Sequence, residues 1–393
     1  MMVLYAGSPV YGSATTAYLD LWSMGPMQAS SARDLRLALA PYLSRSTPLA
    51  LALFLANIAV YLGAVAGAVA LDAWPARLAC AVVAGSAISA LFVIGHDAAH
   101  GAYLKGRPAN AVIGRIAFLP ALHNYSLWQV QHNRLHHRLV NIKGFNSWSP
   151  LSKAEYDGLP LWRRWGQRLY RSPLGFAPYY LIERWWRDKF FPRRGNGTAR
   201  HATFWADFAL LIVYLAGFVA LLALAGAALP QSSATAAVAW GFGVPFLVWN
   251  MLMGATTYMQ HTHRRAPWFA EQTEWRRLAG QEELSVHVVT PAWYGAISHH
   301  VMDHPAHHVH PKIPLYRLAA AQRRLNELLG ERAIVQRFTP AYLRDTLACC
   351  KLYDYREHRW LDFTGRATSA CTLPERLRRA DAPAELTEER AAG

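Results

Sequence analysis

Four apolar blocks set the terms on which this 393-residue chain can fold. They cover about residues 49–71, 78–95, 208–229 and 236–257 and hold almost no ionisable side chain. At about 1.5 Å of rise per residue, a helix of such length crosses the ~30 Å hydrocarbon layer of a bilayer. Backbone in lipid must satisfy its own hydrogen bonds, so each block is read as a transmembrane helix. Only short turns, 72–77 and 230–235, separate the first from the second and the third from the fourth. The expected architecture is therefore an all-α membrane protein of four spans in two hairpins. Both termini and the long central loop then share one side of the membrane.

Charge orients that arrangement. The net charge is +15, and twelve lysines and arginines fall within the loop 143–200 alone, whereas the opposite turns are nearly uncharged. Lys and Arg beside spans mark the cytoplasmic face. A chain this basic first suggests nucleic acid, but 53% of its residues are hydrophobic and its arginines alternate with tryptophans beside the apolar blocks. That pattern fits an anionic membrane surface and speaks against nucleic acid. Trp162, Trp165, Trp185 and Trp186, interleaved with arginines, suit amphipathic helices in the headgroup layer.

The remaining divisions follow. Residues 1–47 form a cytosolic segment without a secretory signal, with Met24 or Met27 as alternative starts. Residues 48–263 make the membrane domain, in which the apolar stretch 111–122, carrying Arg115, is too short to span and reads as re-entrant or interfacial. Residues 264–365 form a cytosolic helical cap that includes a mixed helical stretch at 315–329, and 366–393, rich in Ala and Glu, form a disordered tail. Cys80, Cys349, Cys350 and Cys371 make no CxxC pair and are expected as reduced thiols.

Three histidine clusters interrupt this apolar frame: His96 with His100, His132 with His136 and His137, and His304 with His307 and His308. Residues three or four apart lie on one helix face, so each cluster can aim its rings at a common centre. Adjacent histidines diverge by about 100° and can serve two centres. Neutral imidazole is the commonest side-chain metal ligand. Eight such rings exceed the four that one zinc ion takes, so two ions are the simpler account. Pro305 fits a helix that starts here with Asp303 as its N-cap. His96-Asp-Ala-Ala-His100 is also close to the HExxH zinc-protease motif, but Asp97 stands where the general-base Glu is needed.

From about residue 90 to 365 the sequence resembles the membrane-bound fatty acid desaturases with three histidine boxes. HDAAH is similar to the first box, HNRLHH to the second and HPAHH to the third. Gln260-His-Thr-His263 before Pro267-Trp268, and the run from His308 to Tyr316, resemble the acyl-lipid omega-6 (delta-12) branch. The resemblance implies two non-haem iron ions held by nine histidines: the eight above and one at the end of the fourth span, best matched by His261, with His263 as the alternative. It also implies O2 as co-substrate and a cis double bond placed in a fatty acyl chain carried on lipid, acyl carrier protein or coenzyme A. An Asn linked through water belongs to the family pattern, with no position assigned to it here. His299 and His300 are left outside the ligand set, and Asp97 and Asp303 are the carboxylates nearest to free ring N–H groups. Tyr103, Tyr125, Trp128, Trp293 and Tyr294 read equally as interfacial anchors or substrate walls.

The same motifs admit a hydroxylase or acetylenase. A metal transporter would need ionisable residues inside the spans, and only Asp207, at a boundary, comes near. No dinucleotide-binding glycine fingerprint is present, so electrons come from an external donor such as ferredoxin or a cytochrome b5-like protein. The expected location is multi-pass in a bacterial inner membrane, surrounded by its lipids, with the active site cytoplasmic.

Overall fold

The computed structural model describes residues 32–191, 202–278 and 283–375. Met24, Met27, Arg193, Arg194, Arg200 and the tail beyond 375 lie outside them. The described chain is mostly helical. Four helices are long and apolar enough to cross a membrane: Thr47–Ala70, Trp74–Ala99, Ala202–Ala228 and Ala234–His261. Pro48 and Pro75 stand in the first turns of two of them, where a missing N–H leaves no intrahelical bond unmade. The second and fourth helices run past the apolar blocks that announced them, to Ala99 and His261. Hydropathy drops at the first polar residue, but the helices continue because their polar ends are buried against other parts of the chain.

The spans divide into an inner and an outer pair. In their most apolar stretches, 61% of the second and 39% of the fourth are buried, against 22% of the first and 11% of the third. Gly85 lets the inner pair touch: a Cβ there would stand 2.6 Å from Val248 and 2.7 Å from the Pro245 carbonyl. The fourth span tolerates Pro245 because a π-wound segment, Ala239–Gly243, precedes it. At the far end from the histidines, Arg77 of the second span donates to the Leu71 carbonyl and, at 3.0 Å, to that of Gln231. Gln231 returns a bond to Ala70 at 2.9 Å, so the two short turns are tied together.

The stretch expected to be re-entrant forms a helix, Arg107–Phe118, packed on the second span. Arg115 on it reaches Asp207 of the third span at 2.7 Å, and the other oxygen of Asp207 accepts from the Ser126 backbone at 2.8 Å. Asp207 is therefore a buried tie rather than a boundary charge.

The basic loop is a series of helices, Lys153–Gly158, Leu161–Tyr170 and the π-wound Tyr179–Phe190. Trp162, Trp165 and Trp186 are exposed as an interfacial surface requires, but Trp185 is buried in the main core. Two of the cations used to orient the chain, Arg171 and Lys189, are buried as well.

Beyond the fourth span the expectation of helix alone needs correction. His287–Val289 pairs in parallel with Val335–Arg337, and Leu352–Asp354 pairs antiparallel with Arg359–Leu361. Strands of three residues are too short to show an alternating pattern in sequence. Helix Leu315–Leu329 buries Leu318, Leu325 and Leu329 against Leu35 and Leu39 of helix Ala32–Leu39. Residues 366–375 belong to the ordered body and not to a tail: Thr368 donates to the Trp360 carbonyl at 2.9 Å, and Leu373 is buried.

Candidate metal centre

The histidine clusters meet where the second and fourth spans end. Their rings form two groups, in each of which one nitrogen per ring lies within 4.8 Å of all the others: His96, His100, His132, His137 and His307, and His136, His261, His304 and His308. All nine histidines singled out in the sequence are thus brought together. His263 is not among them; its Nδ1 accepts from the Arg265 backbone at 3.1 Å. His299 and His300 also stay apart, with His299 Nε2 3.1 Å from the Asn57 amide of the first span.

Helix winding decides which ring joins which group. His96 and His100, four apart near the end of an α-helix, share one group, and His304 and His308 share the other. The middle cluster departs from this spacing. Gln131–His136 is wound as a π-helix, with the His137 N–H donating to the His132 carbonyl five residues back at 3.1 Å. His132 is consequently grouped with His137, not with His136 as α spacing would have it. Each adjacent couple, His136 with His137 and His307 with His308, divides between the two groups.

The chemistry of these nitrogens fits metal. His137 Nε2 stands 3.0 Å from Nε2 of both His132 and His307. His304 Nε2 stands 3.0 Å from that of His261 and 2.8 Å from that of His308. A neutral ring carries one donor and one acceptor, so converging Nε2 atoms are poor partners for each other and good ones for a cation between them. Burial, then the neighbouring rings, hold His100, His132, His137, His304, His307 and His308 well below the usual histidine range. Burial brings His136 down to about 4, a bond from its ring to Asn146 Oδ1 opposing it. At neutral pH these rings keep their lone pairs.

Supporting contacts follow from the loops. Asn146 Oδ1 lies 2.7 Å from His136 Nδ1, while its amide donates to the Leu139 carbonyl. Nothing in the sequence singled this residue out, since the bond depends on the path of the loop. Gln129 and Asn133 both donate to the Ala99 carbonyl, fixing the end of the second span between His96 and His100. Asp97 lies 3.3 Å from its neighbour His96 and accepts from the Leu315 backbone at 2.6 Å. Asp303 does not reach any of the nine. It precedes the His304–Val309 helix as expected, but its oxygens pair with His287 at 2.9 Å and His300 at 3.2 Å.

A cavity of about 310 Å³ opens beside the rings, with Phe92, Trp128, Tyr180 and Met253 in its walls next to His96, His132, His261 and His304. Trp128 stacks on His132 at 4.1 Å between centroids. Of the aromatics considered in the sequence, Trp128 is therefore a wall, Tyr103 and Tyr125 are core, and Trp293 is exposed. His123 is among the histidines that the sequence reading passed over. It is buried beside Phe92, its Nε2 3.1 Å from the hydroxyl of Tyr180.

Comparison with known proteins agrees with this geometry. A family model described as fatty acid desaturase matches residues 72–340. The chain is 26% identical over 276 residues to an omega-6 fatty acid desaturase, chloroplastic, of Glycine max, covering 69% of this chain and 61% of that protein. It is 26% identical over 314 residues to an sn-1 oleoyl-lipid 12-desaturase of a Picosynechococcus species, covering 78% and 86%. The corresponding Synechocystis protein is 27% identical over 289 residues, covering 71% and 76%. The chain thus spans about three fifths of the soybean relative and more of the cyanobacterial ones.

Proposed function

Because this integral membrane protein belongs to the fatty acid desaturase family, we propose that it introduces a cis double bond into a fatty acyl chain, at the omega-6 (delta-12) position. The observation that carries the reading is the convergence of nine histidines, in two groups, against a cavity walled in part by Phe92, Tyr180 and Met253. The names of the relatives, an omega-6 desaturase and two oleoyl-lipid 12-desaturases, favour the position.

In this reading the nine histidines hold two iron ions, five rings on one side and four on the other. Bound iron would supply the activation of O2 and the removal of hydrogen from unactivated methylenes, chemistry that side-chain acids and bases cannot perform. The chain's own part is to donate neutral ring nitrogens, to hold the acyl chain and to keep water away. Asn146 fixes the orientation of the His136 ring. Trp128 holds His132 by stacking and lines the cavity. Phe92, Tyr180 and Met253 offer a surface on which methylenes are held dry. In the same reading an external protein supplies electrons and the histidine face lies toward the cytoplasm of a bacterial inner membrane, an orientation that the excess of Lys and Arg in the central loop supports.

Expression in a host without polyunsaturated lipids, followed by analysis of its fatty acids, tests the proposal. The expected result is a new diene with its second bond at the omega-6 position, lost together with bound iron in His307→Ala. An unchanged profile with iron bound and reductase supplied, or a hydroxylated product, would overturn it.

A further inference from the structure

Two π-wound segments contribute to the same cavity, and in each the residues of interest are five positions apart. In Gln131–His136 the spacing joins His132 and His137. In Tyr179–Phe190 it relates Arg184 and Lys189, both of which line the cavity. A winding with bonds five residues apart brings such pairs to one face, and it is rare overall and frequent at functional sites.

The polar bonding of this second pair is incomplete. Lys189 is only 9% exposed, and its ammonium donates to Gln131 Oε1 at 2.5 Å. The Gln131 amide nitrogen is itself engaged, at 3.0 Å, with the Asp188 carbonyl, which fixes its oxygen toward the lysine. An ammonium has three donors, and a neutral amide oxygen answers one of them without balancing the charge. Arg184 Nη1 pairs with Asp188 at 2.7 Å, but its buried Nε has no partner among the described residues. On this helix Glu183 pairs with Arg187, which leaves one carboxylate, Asp188, against the two cations Arg184 and Lys189. Burial, with the Arg184 charge adding to it, brings the lysine down to about 7. A cation buried against an apolar wall is costly unless something of opposite charge meets it.

We infer that Arg184 and Lys189 receive the anionic group of the acyl substrate, a phosphate or a carboxylate, in the cavity where the histidines converge. The word acyl rests on the desaturase reading above; the anion site rests on the two cations alone. An anion there meets the arginine charge and the free lysine donors together, through charge-assisted bonds to the ammonium. The head of the substrate is then fixed relative to the histidines, which would set how far along the chain the reacting methylenes fall.

The test uses the full-length, iron-loaded protein and measures lipid retention by native mass spectrometry. The probes are dioleoyl phosphatidylglycerol, an uncharged dioleoyl galactolipid and free oleate. Wild type should retain the phospholipid about tenfold more than the galactolipid. Lys189→Met should bring the ratio to within about threefold and Lys189→Arg should restore it, with iron content equal in all three. If Lys189→Met loses its iron, Arg184→Gln makes the same comparison. Competition by oleate in wild type but not in the variant identifies a carboxylate as the group held; competition by the phospholipid alone identifies a phosphate. Equal retention of both lipids by wild type, or an undiminished ratio in the variants, overturns the inference. A wild type with the binding ratio but no desaturation would sink the desaturase reading and leave this site standing.

Discussion

The inner and outer pairs of spans are all apolar enough to cross a membrane, yet they have very different surroundings. A Cβ on Gly95 of the second span would stand 2.3 Å from the ring of Phe118, and one on Gly254 of the fourth would stand 2.3 Å from the Phe176 carbonyl. On the outer pair, Gly63 and Gly217 have nothing within 4 Å, although Gly226, close to the turn 230–235, would meet the Ser233 carbonyl at 2.4 Å. The inner helices are held by close contact and end in histidines; the outer ones present side chains to lipid. The two pairs therefore differ in their freedom to change, and that freedom is measurable.

The largest effect is expected at Gly254→Val, because the obstructing atoms are backbone and cannot move aside by a change of rotamer. A cost of about 3 kcal/mol or more follows, and the variant should lose its monodisperse peak in detergent gel filtration. A wild-type elution profile and melting temperature would break the contrast. Asp207→Asn comes next. It weakens the tie between an outer span and the packed interior, removing the charge that meets Arg115 and two bonds from Ser126. Loss of a charge-assisted bond costs ~1–2 kcal/mol here, since Arg115 is partly exposed. A fall of a few degrees in melting temperature checks it, and no fall would show that the outer helix is held by lipid alone. The smallest effect belongs to Gly217→Ala. An exposed helical glycine replaced by alanine gains about 0.5–1 kcal/mol in helix propensity. The melting temperature should rise slightly or stay level, and a clear drop would reveal a partner on that face.

Much of this plan was legible because two of its signals are strong in one dimension. Twenty apolar residues in a row have few other uses, and clusters of histidines at helical spacing have few either. The rest depends on local winding and on loop paths. The α-helical period pairs His132 with His136, and only the π turn moves His137 into that place. Asp303 was expected to steady a ring of the set, but the loop before it delivers His287 and His300 instead. Asn146 reaches His136 across ten residues of irregular chain, a relation with no periodic trace. Lys189 looked like one more surface cation in a basic loop; its helix winding turns it inward. Strands of three residues gave no alternation to read.

The neighbouring couples His136 with His137 and His307 with His308 carry a consequence for how such a site can change. Two side chains one position apart share a backbone, and a rotation that frees one from its group swings the other out of the opposite group. Both pockets of rings thus hang on the same two pivots. Neither can be loosened, rebuilt or lost in isolation, and descent with modification has to carry the pair as a unit.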